Sequence, residues 1–480
     1  MSSELKSKAV SGIIWTSFER FGAYLIQLII SIILARILSP EDFGIIGMTV
    51  IFMLIANTLL DSGFGNALIQ NKNRNETDYS TAFYFNLAVG IILYILLYIS
   101  SPYIADFYNT QLLTPVCRAL GLSLIFNSLT IAQTAKLTVE FKFKELSIIT
   151  IITQFITGII GIFLAYLDYG VWALVFQNVG SCILRTILIE YYTKWYPSKP
   201  FSKESFYKMF GFGSKLLCSS IINTIYNNLY TLIIGKIYSP REVGYYAQGD
   251  KFAVLPSNIF LSVIMKVAYP LMAEVQDNTE KLRTSYKKIL RTPIFILYPV
   301  LTLIIIYAEP IIILLIGEKW LPSVPILQIL CLGTFFDPLT HINLNILYVK
   351  GRTDLVLKLE VVKKTIAFII LFSMIPLGLW WLCAGRAIYG FIAYSINCHY
   401  TKKIIDFSFW EQMKYNLPII LKSLLMGMIS ILSTVYIETY ITKIIIGFIV
   451  GLFSYYAIAK LSKDESFIDI MNIIKSKKKK

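Results

Sequence analysis

Apolar runs of about 20 residues, each long enough to cross roughly 30 Å of hydrocarbon, recur from one end of this chain to the other. No other feature restricts its folding as strongly. Backbone groups in lipid must be satisfied internally, which leaves only helices or a closed barrel, and the runs lack the alternation of barrel strands. The pattern predicts an all-α polytopic membrane protein with 14 spans near 11–34, 42–66, 80–100, 110–135, 146–167, 171–192, 209–234, 243–266, 290–308, 323–349, 359–376, 379–400, 415–437 and 440–459. Of the 480 residues 56% are hydrophobic and 15% charged, and the connections are too short for a large aqueous domain. The N-terminal stretch has no small-residue cleavage site and a longer apolar core than a signal peptide, so it is expected to remain as the first helix.

The net charge of +15 reads as topology rather than nucleic-acid binding, because the basic residues sit in short segments between spans and form no basic and aromatic face. Lys and Arg are retained in cytoplasmic connections. With the N-terminus inside, only five of the 44, Arg36, Lys236, Arg241, Lys319 and Lys443, fall in outer loops or, for Lys443, at the outer edge of a span. Both termini are therefore expected in the cytoplasm, the tail "KSKKKK" included. The six cysteines lie within predicted spans without a metal-type spacing, so no disulfide, metal or other cofactor is expected.

One phrase occurs twice. "ARILSPEDFG" at 35–44 returns as "GKIYSPREVG" at 235–244, each copy in the first outer loop of a six-span set. Ser239 and Glu242 make a capping box around Pro240, a residue suited to the first helical position, and Ser39, Pro40 and Asp42 imitate it with a shorter acid. "GVWAL" at 170–174 and "GLWWL" at 378–382 form a second echo, opening the sixth and twelfth spans. An even number of spans separates the copies, so the halves are parallel repeats about an axis along the membrane normal, an arrangement transporters use. The expected organisation is a lobe at 1–200, a second at 201–405, and two further helices with a basic tail at 406–480. The second echo is offset by 208 residues rather than 200, which places a small insertion in "EPIIILLIGEKWLPSVP" at 309–325, with Gly317 ending a helical turn and Trp320 at headgroup level.

The stretches "ARILSPEDFGIIGM", "GFGNALIQNKNRNETDYSTAFYFNL", "YGVWALVFQ", "VAYPLMAEVQDNTEKLRTSYKKIL" and "AEPIIILLIGEKWLPSVPILQIL" resemble, in order and spacing, the polysaccharide flippases of the MOP exporter superfamily, the Wzx-like branch. The resemblance covers nearly the whole chain. It implies two six-helix lobes around a central cavity, alternating access, and a polyprenyl-pyrophosphate-linked oligosaccharide as cargo, moved to the outer leaflet of the bacterial cytoplasmic membrane for O-antigen, capsule or exopolysaccharide synthesis. Membrane lipids, a polysaccharide polymerase and a chain-length regulator are the partners it implies.

Charges inside spans cost about 2.5–3.5 kcal/mol each at the bilayer centre and ask for a partner or a wet cavity. Arg20 lies about 14 Å along the first helix, and Glu19 beside it points elsewhere. Arg20 and Lys251, assisted by Lys215 and Arg118, are the expected ligands of the pyrophosphate, because guanidinium and ammonium groups in a wet groove replace its water. Gln27, Asn223, Asn227 and Asn228 are expected to meet the sugars. Asp61, Asp250 and the i,i+4 pair Asp337 and His341, close enough on one face to hydrogen-bond, are candidates for ion coupling. Arg386 is a further charge in the twelfth span, and Lys363 and Lys364 read as span-edge residues. Against these readings stands the ordinary fate of such groups, which is snorkelling or fastening neighbouring helices.

No GxxxxGK[ST] loop is present, so ATP does not drive the expected transport. A glycosyltransferase or polysaccharide polymerase would want catalytic acids on a sizeable outer loop, and the outer acids here are scattered, so the chain does not read as an enzyme. A peptidoglycan lipid-precursor flippase is the nearest alternative, since its cargo carries the same pyrophosphate. A drug antiporter favours fewer spans and a hydrophobic cation site.

Overall fold

The computed structural model describes residues 3–61 and 63–478, with side chains throughout except at 3–14, 16–18, 20, 212–216, 218, 219, 222, 227, 262, 263, 265–267, 473, 474 and 476–478. Every regular element among the described residues is helical. The chain divides into two compact units, Met1–Gly244 and Tyr245–Lys480.

The first unit contains α1 (Ser3–Ile37), α2 (Pro40–Asp61), the short α3 (Phe64–Gln70), α4 (Glu76–Tyr108), α5 (Leu113–Val139), α6 (Phe143–Tyr166), α7 (Val171–Thr193) and α8 (Lys203–Ile237). Here α4 lies along α5, α1 along α6, and α7 against both α5 and α6. Although α8 opens the second repeat in sequence, it packs with this unit, chiefly on α2. The next helix, α9 (Pro240–Glu274), begins in the first unit and continues into the second. There follow α10 (Thr279–Ile306), α11 (Ala308–Ile316), a 3-10 turn, α12 (Ser323–Thr334), α13 (Asp337–Val349), α14 (Thr353–Met374), α15 (Leu379–Ile405), α16 (Phe409–Thr434), α17 (Tyr440–Leu461) and α18 (Glu465–Lys478). The core of the second unit is built on α10, whose buried Tyr286, Ile294 and Leu303 join Ile342, Tyr394, Ile419 and Met426.

Among the described residues nine helical runs are long and apolar enough to cross a membrane. The other five predicted spans correspond to α1, α8, α9, α14 and α15, helices of 22–35 residues. Large apolar side chains stay exposed along whole helix faces, as at Ile92, Leu96 and Ile99 on α4 and Phe155, Ile159 and Phe163 on α6, the surface that a hydrocarbon solvent requires.

Both copies of the repeated phrase fold as the caps their residues suggest. The Ser39 amide donates to Asp42 Oδ2 at 2.9 Å and the Asp42 amide back to Ser39 Oγ at 3.2 Å. At Ser239 and Glu242 the same two bonds measure 2.9 and 3.4 Å. The two copies also touch each other within the first unit. A Cβ on Gly44 would lie 1.6 Å from the Pro240 carbonyl oxygen, and one on Gly244 would lie 1.9 Å from that of Pro40, so each helix start rests on the other through a glycine. The second echo is conformational too: Gly170 (φ 54°) and Gly378 (φ 104°) both turn the chain with positive φ immediately before α7 and α15.

Two predicted spans are interrupted; in 42–66, α2 ends at Asp61 and α3 begins at Phe64, after Gly63 with φ 75°. The predicted span at 323–349 is broken, because α12 ends at Thr334 and α13 restarts at Asp337 with Pro338 in its first turn. A proline there leaves no amide to continue the preceding helix. Trp320 is fully buried, with its ring edge-on to Tyr245 at 6.2 Å between centroids. Gly317 (φ 99°) does end α11, as its sequence position suggests.

Candidate functional site

In the first unit a cavity of about 470 Å³ opens among α2, α3, α5 and α7, near the ends at which α2, α5 and α7 finish. Asp61, Asn66 and Arg185 line it and are exposed. Deeper in lie Asn57 and Asn127, joined by a bond from Asn127 Nδ2 to Asn57 Oδ1 at 3.1 Å. Thr130 is buried and donates to the Asn127 carbonyl at 2.9 Å. Thr134 also lines the cavity, and its buried hydroxyl has no hydrogen-bond partner. Neither Asp61 nor Arg185 forms an ion pair or hydrogen bond with any described residue.

In the second unit the charged centre is Arg386 on α15. Its Nη1 donates to Asp250 Oδ1 and to the Tyr246 hydroxyl, both at 2.6 Å and both on α9. Asp337, the first residue of α13, lies within electrostatic reach of Arg386 and of Asp250, so one guanidinium serves two carboxylates. Asp250 is thus committed to Arg386. His341 is exposed while Asp337 is half-buried, and the i,i+4 pair makes no hydrogen bond. The charges nearest His341 are Lys363 and Glu360 on α14. Lys363 is buried and ion-paired to Glu360 at 2.5 Å.

The remaining predicted residues fall as follows. Arg118 on α5 donates from Nε to Ser101 Oγ at 3.0 Å, and its guanidinium lies 4.1 Å from the centre of the Tyr98 ring, so it is held against α4. Lys251 is half-buried on α9, next to Asp250. Gln27 and Asn223 are exposed, and Asn228 donates to the Thr224 carbonyl at 2.9 Å. The side chains of Arg20, Lys215 and Asn227 lie outside the described residues. Glu19 accepts hydrogen bonds from Ser147 and Thr150 on α6 at 3.3 and 2.9 Å.

Sequence reasoning passed over Arg185, Asn57, Asn127 and Tyr246. Arg185 carries the same signal as Arg118, a cation inside an apolar run. The two asparagines are single polar residues on long helices, and nothing in the sequence brings 57 and 127 together.

The two helices beyond the duplication are fixed to α10. At its end the Tyr307 hydroxyl bonds Ser430 Oγ at 2.7 Å and Thr434 Oγ1 at 3.1 Å on α16, and Ser430 Oγ donates to the Gly447 carbonyl on α17 at 2.7 Å. A second buried group joins Tyr286, Asn343, Tyr394, Thr401 and Gln412, with Gln412 accepting from Asn343 at 3.1 Å and from Tyr394 at 3.2 Å. Beyond α17, Asp464 takes Arg291 at 3.0 Å and Lys422 at 2.5 Å. These are fastening interactions among helices of the second unit.

Comparison with known proteins agrees with this architecture. Residues 33–325 match the family described as polysaccharide biosynthesis protein. The lipopolysaccharide biosynthesis protein WzxC of Escherichia coli (strain K12) is 28% identical over 364 residues, 75% of this chain and 73% of that protein. The teichuronic acid biosynthesis protein TuaB of Bacillus subtilis (strain 168) is 27% identical over 354 residues, 73% of each chain. Among solved structures, the lipid II flippase MurJ in an inward closed conformation aligns with a TM-score of 0.71 at 17% identity, covering 94% of this chain and 99% of its own. An inward-facing MATE family transporter of the MOP superfamily aligns with a TM-score of 0.64 at 14% identity, covering 82% and 98%. The chain is a multi-pass membrane protein with the fold of MOP-superfamily transporters, and it belongs to the polysaccharide biosynthesis protein family.

Proposed function

We propose that this protein is a flippase that carries a polyprenyl-pyrophosphate-linked oligosaccharide from the cytoplasmic to the outer leaflet, by alternating access, for surface polysaccharide synthesis. The family match across residues 33–325 carries the reading, and relatives named for lipopolysaccharide and teichuronic acid biosynthesis support it. The protein resides in the bacterial cytoplasmic membrane with both termini inside, in line with the distribution of its Lys and Arg residues. A polymerase and a chain-length regulator act on the oligosaccharide after it has crossed.

The physical problem is an anionic headgroup that must cross about 30 Å of hydrocarbon while its tail stays in lipid. Arg20 on α1 and Lys251 on α9, with Lys215, replace the water of the pyrophosphate; Gln27, Asn223, Asn227 and Asn228 serve the sugars. These residues sit on α1, α8 and α9. Arg118, held by Ser101 and Tyr98, has a packing role. Asp250 and Asp337 around Arg386 are the coupling candidates, because protonation of either carboxylate changes how firmly α15 is held to α9 or α13. His341 remains a coupling candidate on its own helix, and Asp61 remains one for a proton.

Deleting the gene tests the function. The expected outcome is viable cells that lack a surface polymer and accumulate a lipid-linked oligosaccharide facing the cytosol. Lysis on depletion, with accumulation of the peptidoglycan precursor, would move the cargo to that second lipid pyrophosphate. Extension of sugar chains by the purified protein would overturn the transporter reading.

A further inference from the structure

We propose that the cavity among α2, α3, α5 and α7 is a saccharide subsite, distinct from the cations assigned to the pyrophosphate; the inference rests on the flippase reading. Asp61 and Arg185 sit in its wall without an ion pair or hydrogen bond to any described residue. Neither charge is used to hold the helices together. The exposed Asn66 carboxamide lies in the same wall, so three polar side chains are left for an occupant.

The chemistry of the wall selects that occupant. A bare metal cation needs a close shell of oxygens, six to eight at about 2.3–2.6 Å in the case of calcium. A cavity of about 470 Å³ with a guanidinium in its wall offers nothing of that kind. A diphosphate would face the Asp61 carboxylate with a single cation to offset it. An apolar tail would strand the carboxamides of Asn57 and Asn127 against hydrocarbon. A sugar ring presents hydroxyls that donate and accept at short spacing, and the wall presents the matching set: a carboxylate that only accepts, a guanidinium that only donates, and carboxamides and hydroxyls that do both. The volume lies in the range of pockets that enclose small ligands, roughly 300–1,000 Å³. The cavity therefore takes one or two sugar units of the cargo at the end of the unit that faces the cytosol in the proposed topology.

The test uses full-length protein in lipid nanodiscs and two probes: the lipid-linked oligosaccharide purified from cells lacking the protein, and the water-soluble oligosaccharide released from it by mild acid. Wild type is expected to bind the first and to release it in competition with the second. Arg185→Ala and Asp61→Asn, at exposed positions that support no other side chain, are each expected to weaken both interactions about tenfold, the loss of one charge-assisted contact. Thr134→Phe, which fills the void, is expected to do the same. Failure of the free oligosaccharide to compete, or variants with wild-type affinity, overturns the saccharide subsite and leaves the flippase function standing. A sodium or potassium binding isotherm that Asp61→Asn abolishes makes the cavity a cation site and also overturns it. No binding of the lipid-linked form by wild type overturns both.

Discussion

Asp464 shows how a single side chain can hold the last helices in place. It is 3% exposed, in the turn between α17 and α18, and takes Arg291 from α10 and Lys422 from α16. Burial pushes its carboxyl up, but the Lys422 and Arg291 charges and the Ser466 amide outweigh that and hold it below the ordinary aspartate value. Removing the acid leaves two cations without it in a confined space. Asp464→Ala is expected to cost about 3 kcal/mol, read as a lowered melting temperature of the purified protein. A group with a depressed folded pKa contributes stability that is complete above its unfolded value and lost as pH falls through its folded value. The wild-type melting temperature should therefore hold from neutral pH down to about pH 5 and fall below about pH 4, whereas Asp464→Asn should start lower and lose less over the same interval. At this scale the sequence is least legible. Asp464 reads as a loop residue and gives no hint of Arg291, 173 positions away. Asp337 and His341 share a helix and the right spacing, yet Asp337 feels Arg386 while His341 faces Lys363 and Glu360, because each side chain answers to the helix opposite it. Ion pairs across helices depend on packing partners that no local pattern encodes.

Helices were far more legible than contacts, because length, hydropathy and caps are local properties. Both repeated caps formed as Ser39 with Asp42 and Ser239 with Glu242 predict, and the break before α13 was announced by Pro338. What the repeat did not disclose is that its two copies meet. The Pro40 and Pro240 carbonyls each lie where the other helix has a glycine, so a single methyl group has nowhere to go. Since the obstacle is backbone, relief requires moving a helix start. Gly44→Ala and Gly244→Ala are each expected to cost about 3 kcal/mol, the upper end for overpacking, and to lower the melting temperature by about 5 °C or more. An unchanged melt in both variants would mean that these helix starts do not rest on each other. The final pair, α16 and α17, behaves as part of the second unit rather than as an appendage. Gln412 and Tyr307 anchor it through buried bonds, and its removal would expose both these polar groups and the apolar face of α10. A chain ending at residue 405 is therefore expected to be degraded or to aggregate on extraction. Its recovery as a monodisperse protein at wild-type levels would show that the anchoring is dispensable.

For the molecule as a whole, the direction of insertion depends on how many times the chain crosses, and the broken span is where that count is most exposed to error. Ser323–Val349 contains 27 residues in two helices, α12 and α13, and together they are long enough for one crossing. If α12 merely dipped into the bilayer and returned, every segment after it would change sides. The distribution of charge argues against this, because the segments after α13 include Lys350, Arg352, Lys402, Lys403 and Lys414 on what the single-crossing count makes the cytoplasmic side. Single cysteines at Arg241, Lys319, Lys199 and Lys414, in a chain whose own six cysteines are replaced, separate the cases. One crossing, α8, lies between 199 and 241, two lie between 241 and 319, and three lie between 319 and 414 if α12 and α13 count once. A membrane-impermeant maleimide applied to intact cells should therefore label positions 241 and 319, and should reach 199 and 414 only after permeabilisation. Labelling of 414 from outside, with the other three unchanged, would mean that the break between Thr334 and Asp337 is a re-entrant turn and that the C-terminal helices are inverted. Labelling of 199 from outside with 241 and 319 protected would mean that the charge asymmetry does not set the orientation of this chain.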